Sequence, residues 1–272
     1  MLTPISLSEQ MMYNTVRIET NSGCGTGSFF NFQFGEQLVP TIITNKHVVN
    51  YNPNEEVRFA LHLSDEEGNP AENILLNYNT DWLFHPDKDL CCCFVNPIFN
   101  YVYSKFGRRV FFIANTEELL LDDSKKDSLS ALEELVMVGY PIGLHDMRNN
   151  FPIFRKGYTA AHPVVDFNED GIGLVDMTCL PGSSGSPIYI LNEGSFRDKY
   201  GNISVGQSRI MLLGYLYSGP FYNATGEVVV QNIPTAMPKV VTSTQVMANL
   251  GYYIKSDELL KFKPIIKDKL KL

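Results

Sequence analysis

From Val16 to Ile254 the chain repeats one pattern: a short apolar or alternating segment, then a break of Gly, Pro, Asn or Asp. Val16-Arg-Ile18 leads into Ser22-Gly-Cys-Gly-Thr-Gly27. Ser28 to Phe34 alternates apolar and polar residues, and Leu38 to Thr44 reads as the returning strand of a hairpin. Val57 to Leu63 alternates again, Asp65 to Pro70 is a turn, and Leu90 to Val95 is a continuous apolar run suited to a strand buried on both faces. The rhythm resumes with Val136 to Val138, Ile153 to Ala160, Gly173 to Met177, Ser186 to Ile190, Ile210 to Tyr217, Glu227 to Gln231 and Leu250 to Ile254. So many short strands suggest small all-β barrels or sandwiches.

One stretch breaks the rhythm. Asn115 to Glu134 is acidic, with Leu119, Leu129, Leu132 and Leu135 near helical spacing, and reads as a linker with one or two short helices. It divides the chain into 1–115, 116–135 and 136–272, two strand-rich halves around a connector. Ser256 to Phe262 reads as a closing helix with Ser256 as its N-cap, acids in the first turn and lysines after it.

The bulk numbers exclude several classes. The 272 residues carry a net charge of −8, with no basic run before the lysine-rich segment from Lys261 to Lys271, so no nucleic-acid partner is expected. No stretch approaches the roughly 18 apolar residues that span a bilayer, and no secretory signal is read at the start, so no membrane partner is expected. Of the five cysteines, Cys91, Cys92 and Cys93 are consecutive and point to alternate faces of a strand, so they cannot staple one another. With Cys24 and Cys179 they suit a reducing, cytoplasmic setting. The histidines (His47, His62, His85, His145, His162) are scattered, and no metal or other cofactor is expected.

Chemistry is concentrated in three places. Cys179-Leu-Pro-Gly-Ser-Ser-Gly-Ser-Pro-Ile-Tyr189 sets serines between glycines, which permit unusual backbone angles and let consecutive N–H groups converge on one point. Alone it is equally an ordinary turn. A serine nucleophile needs a histidine base, an acid to orient that base and donors for an oxyanion. Thr41 to Val49 is an apolar strand ending in a polar turn that carries His47, and Asp87-Lys-Asp89 stands just before the buried run. Asp89 is preferred over Asp87 because the apolar strand follows it directly.

In the order His, Asp, Ser, these segments resemble the trypsin-like (chymotrypsin-fold) serine peptidases. Thr44-Asn-Lys-His47-Val, Asp89-Leu-Cys and Gly182-Ser-Ser184-Gly-Ser-Pro187 are similar to the family's three motifs. Cys24-Gly-Thr-Gly-Ser-Phe29, Val138-Gly-Tyr-Pro-Ile-Gly143, Arg155-Lys-Gly-Tyr-Thr-Ala-Ala161 and Leu250-Gly-Tyr-Tyr-Ile254 resemble segments of the bacterial, disulfide-free branch that includes the HtrA proteases, here without a PDZ module. The resemblance implies two six-stranded antiparallel β-barrels with a short C-terminal helix. It implies His47, Asp89 and Ser184 as catalytic residues, and the N–H groups of Gly182 and Ser184 as the oxyanion hole. The implied substrate is a protein or peptide, cleaved by an endopeptidase. A catalytically silent peptide-binding module and an esterase-like hydrolase are the alternatives; oligomeric state is left open.

Departures from the family carry information. Secreted members have Asp before the nucleophile, to pair with a newly cut N-terminus. Ser183 stands there and cannot make that ion pair, so no activation by N-terminal insertion is expected. By resemblance, Thr178, Cys179, Leu216, Gly219 and Gly251 line the first substrate pocket. None is acidic, Leu216 replaces the histidine of glutamine-selective viral relatives, and a small or medium apolar residue is the expected preference. The polar connection Leu191 to Arg209 and the segment Gly219 to Val246, read as a hairpin around Asn223 to Gly226 followed by Ile233 to Pro238, are expected to border the cleft.

Overall fold

A computed structural model describes residues 2–227 and 241–272. The first element is α1 (Leu7–Met12), capped by Ser6 and Glu9, each accepting from the other's backbone N–H. Then come β1 (Thr15–Thr20), β2 (Gly23–Phe34), β3 (Gln37–Thr44), β4 (Glu56–Ser64), β5 (Pro70–Asn79), β6 (Leu83–Phe84) and β7 (Cys91–Phe94). They are followed by α2 (Asn96–Phe106), β8 (Val110–Phe111) and β9 (Asn115–Thr116). These strands form a nine-stranded sheet in the order β5-β4-β1-β2-β3-β7-β6, with β8 on β4 and β9 on β2. Six of the nine are long enough to be read from alternation; β6, β8 and β9 are two residues each and leave no such pattern.

The linker holds a 3-10 turn at Glu117–Leu119 and α3 (Asp123–Ser128), whose N-cap Asp122 accepts from Lys125 N. The second half contains β10 (Glu134–Gly139), β11 (Ile153–Thr159), β12 (Ile172–Asp176), β13 (Pro187–Asn192), β14 (Ser195–Arg197), β15 (Ile203–Val205) and β16 (Arg209–Ser218). It continues with β17 (Phe221–Glu227), β18 (Val241–Met247), β19 (Leu250–Lys255) and α4 (Phe262–Leu270). Here β10-β11-β12-β19-β16-β13 close into a six-stranded barrel. The molecule is therefore mostly β, as expected, with a closed six-stranded barrel, a second large sheet and a short C-terminal helix.

Four local features differ from the sequence reading. The connection 191–209 is not structureless; β14 and β15 pair as a hairpin within it. Asn223 to Gly226 lie inside β17, paired with β18, rather than at a turn; most of the strand read at Glu227 to Gln231, and all of Ile233 to Pro238, lie outside the described residues. Ser256 does not cap a helix. It opens a 3-10 segment, Ser256–Lys261, with no side-chain cap, and is fully buried. The α-helix begins only at Phe262, so the expected capping oxygen sits one element too early. The sequence reading assigns no helix to 96–106, where Pro97 in the first turn, buried Ile98 and Val102 and a left-handed Gly107 make one.

The buried run explains how the layers share a core. Cys91 and Cys93 pack with Val16, Ile18, Ile42 and Phe59 inside the first sheet. Cys92, on the opposite face, joins Phe30, Val138, Tyr189, Tyr215 and Phe262 between the halves. Tyr189 Oη donates to Asn14 Oδ1 at 2.8 Å and accepts from Asn115 Nδ2 at 2.9 Å, a buried polar network that joins strands of both halves. Ser28 Oγ to Tyr215 Oη, 3.0 Å, is a second such bond. The C-terminal elements reach back across the first sheet, with Lys263 Nζ 2.8 Å from Glu117 Oε1. Among the described residues no helix is long and apolar enough to cross a membrane.

Candidate active site

His47 is placed by what surrounds it. After β3 the chain enters a 3-10 turn, Lys46–Val49, ended by Asn50 in the left-handed conformation. Val48 and Val49 turn inward and are buried. Gly25 on β2 makes the room: a Cβ there would stand 2.6 Å from both methyls of Val48. With the valines anchored, His47 is left half-exposed at the edge of the core.

Asp89 is held in the same place from the other side. Asn45, buried at the end of β3, donates through Nδ2 to Asp89 O at 2.7 Å. Asp89 Oδ1 accepts from His47 N at 3.1 Å, and Oδ2 lies 2.5 Å from His47 Nδ1. One carboxylate thus grips both the main chain and the ring of a single histidine. With the acid ionised, Nδ1 donates and Nε2 is left as the basic nitrogen. Asp87, the rival, is exposed, 3.8 Å from Lys261 Nζ.

His85 supports this turn and was not singled out from sequence. Its Nδ1 accepts from Asp87 N at 3.1 Å and Lys88 N at 2.9 Å, so Nε2 carries the proton and donates to Glu258 O at 3.2 Å. Burial pulls its pKa down, opposed by Glu258. Nothing in the chain's local pattern links residue 85 to residue 258; only folding does.

The Gly182–Pro187 loop is pinned to β2. Thr26 N donates to Ser184 O at 2.9 Å. Thr26 Oγ1 donates to Gly182 O at 3.2 Å and accepts from Tyr140 N at 3.0 Å. Thr44 Oγ1 in turn holds Thr26 O at 2.8 Å. Both glycines of the loop are in the left-handed region, Gly182 at φ +84° and Gly185 at φ +81°. A side chain at Gly185 would overlap Thr26 O, and one at Gly182 would come within 2.7 Å of Tyr140 O. Ile142 N completes the clasp by donating to Pro181 O at 2.5 Å, with Ile142 itself at φ +47°, an uncommon state for a β-branched residue.

Within the loop, Ser183 N donates to Leu180 O and Ser186 N to Ser183 O, while Gly185 N donates to Leu216 O. Among the described residues the N–H groups of Gly182 and Ser184 have no acceptor in the protein. Ser184 is half-exposed, whereas Ser183 and Ser186 are fully buried. His47 Nε2 and Ser184 Oγ are likewise without a hydrogen bond to each other or to any other described group.

The expected pocket residues converge in part. Gly251 faces Cys179 Sγ and Leu216 Cδ1, both of which a Cβ would strike. Cys179 and Leu216 are buried, and burial pushes the Cys179 thiol up to about 11, so it is not a reactive thiolate. Thr178 Oγ1 donates to Asn249 Oδ1 at 3.0 Å. Gly219 lies beyond the end of β16. Arg155, which the sequence motif placed but gave no task, donates through Nη1 to Thr178 O at 3.0 Å and Ser183 Oγ at 2.7 Å.

No family description matches the chain, and no curated protein matches it in sequence. Among solved structures, the inactive form of the Rv3671c protease is similar over 94% of this chain and 90% of that one, at 14% identity and TM-score 0.46. A human pathogenic astrovirus serine protease is similar over 89% of each chain, at 13% identity and TM-score 0.42. An inactivated protease paralogue of the scabies mite is similar over 96% of each, at 11% identity and TM-score 0.47. The fold rests on the strand ladders described above.

Proposed function

We propose that the chain is a serine endopeptidase. Ser184 Oγ attacks the carbonyl carbon of a peptide bond while His47 Nε2 takes its proton. The oxyanion that forms is met by the free N–H groups of Gly182 and Ser184. Collapse breaks the C–N bond, and His47 hands the proton to the departing amine. Water then attacks the acyl ester, gives a proton to His47, and Ser184 leaves reprotonated with release of the acid. Asp89 holds the ring tautomer and balances the imidazolium.

The observation that carries this reading is the double grip of Asp89 on His47, 2.5 Å to Nδ1 and 3.1 Å to the main-chain N. His85, a structural histidine, has both ring nitrogens bonded, whereas His47 has Nδ1 held and Nε2 open. On this reading residues 1–115 bring the base and acid, 136–272 the nucleophile, and 116–135 joins them. The five free cysteines support a reducing, cytoplasmic setting. The motifs at 24–29, 138–143 and 155–161 support kinship with the disulfide-free bacterial branch.

Labelling with a fluorophosphonate tests the reading. The folded protein is expected to be modified at Ser184 and Ser184→Ala to resist. Absence of labelling on folded wild type, or equal labelling of the mutant, overturns it. A peptide library set beside simple esters then separates peptidase from esterase.

A further inference from the structure

Arg155 sits on β11 between exposed Phe154 and Lys156, yet its guanidinium is half-buried behind the candidate nucleophile loop. Nη1 reaches Thr178 O and Ser183 Oγ. Nε and Nη2 are closed to solvent with no partner among the described residues. All its hydrogen bonds therefore go to neutral oxygens. Burial lowers its pKa to about 10, which leaves it charged at neutral pH. Two guanidinium nitrogens closed to solvent with no carboxylate beside them are costly. Such a group is expected where its position does work that an apolar residue would not.

The position is specific. Ser183 is wholly buried between the two residues whose N–H groups are free. Its own N–H and carbonyl are spent on Leu180 and Ser186, which makes residues 180–186 one tight turn. The peptide plane that carries the Gly182 N–H is held at Pro181 O by Ile142 N, so the Ser183 side chain is a further handle on the plane that carries the Ser184 N–H. Thr178 O, the other oxygen held, lies at the start of the same segment. We infer that Arg155 is the positioning residue of this loop: by holding Thr178 O and Ser183 Oγ together it aims the Gly182 and Ser184 N–H groups at one point. The loop is thus set by a cation built into β11, and Ser183 is the group through which it acts. The inference rests on the proposed role of Ser184, but its structural part does not.

The test compares Arg155→Met, Arg155→Lys, Ser183→Ala and Arg155→Met/Ser183→Ala with wild type. Two readouts are fluorophosphonate labelling kinetics and hydrogen–deuterium exchange of residues 178–186. Arg155→Met is expected to lower the maximal labelling rate about 10- to 100-fold, with little change in the half-saturating probe concentration. Exchange should rise in 178–186 and not elsewhere in the barrel. Arg155→Lys should recover part of the rate, since an ammonium reaches at least one of the two oxygens. Ser183→Ala should lose less, and adding it to Arg155→Met should cost nothing further. Labelling within twofold of wild type in folded Arg155→Met, unchanged exchange in 178–186, or additive losses in the double variant overturns the inference. If wild type is not labelled at all, the peptidase reading fails, and the exchange measurement alone decides the role of Arg155. If Arg155→Met does not fold, Ser183→Ala decides: unchanged labelling and exchange there overturn the inference.

Discussion

Thr26 N donates to Ser184 O at 2.9 Å, so the candidate nucleophile's own carbonyl is held by a strand of the opposite half. The Thr26 hydroxyl adds Gly182 O and Tyr140 N. Cys24-Gly-Thr-Gly27 thereby gains a residue-by-residue account. Gly25 admits Val48, Gly27 admits Ile18 and Ile42, and Thr26 between them ties the loop to the sheet.

Thr26→Val keeps the main-chain bond and the side-chain shape but loses both hydroxyl bonds. The labelling rate of Ser184 is expected to fall about 10- to 100-fold while the thermal unfolding curve stays cooperative. A rate equal to wild type would remove Thr26 from the site.

On the proposed reading, Asp89→Asn leaves a group that can still accept from His47 N but would no longer balance an imidazolium or fix the tautomer. Labelling is expected to fall about 10⁴-fold, the magnitude seen for such an acid elsewhere. Asp87→Asn, at an exposed position, is expected to stay within about twofold of wild type.

Gly25→Ala forces a methyl against Val48. Overpacking of this kind costs about 1–3 kcal/mol, read as a lower melting temperature. Val48→Ala in the same chain is expected to recover part of that loss, because the two changes compete for one space.

His62 is buried against Tyr13, with ring centroids 4.9 Å apart, and burial pushes its pKa down to about 4. The unfolded chain binds its proton more readily, so stability rises with pH between about 4 and the ordinary histidine value near 6.5. The contribution is fully present above that window and is lost as pH falls through it, up to about 3 kcal/mol. His85, whose pKa is also lowered, acts in the same direction. In urea titrations across pH 4–7, His62→Leu is expected to show a flatter acid limb than wild type.

The parts legible in the sequence were those whose meaning is local. Long alternating strands announce themselves through a period of two, and the acidic connector through its composition. His47, Asp89 and the Gly/Ser loop each stand in a short stretch whose residue types suit one kind of chemistry. Two-residue strands such as β8 and β9 carry no period, and α2 is too aromatic to stand out among strands. Ser256 looks like a cap because acids follow it, but its burial in the core outweighs that preference. Thr26, His85 and Arg155 escaped because each acts on residues far along the chain: 184, 258 and 183. Their types are ordinary, and only the topology brings them to the loops they support.

The bond from His85 to Glu258 O has a consequence for the order of events during synthesis. The turn bearing Asp89 is made early, yet its supporting histidine is anchored by a carbonyl translated some 170 residues later. Until that stretch leaves the ribosome, the acid stands on an unfinished footing. A nascent chain would therefore carry His47, Asp89 and Ser184 before the Asp89 turn had all of its support.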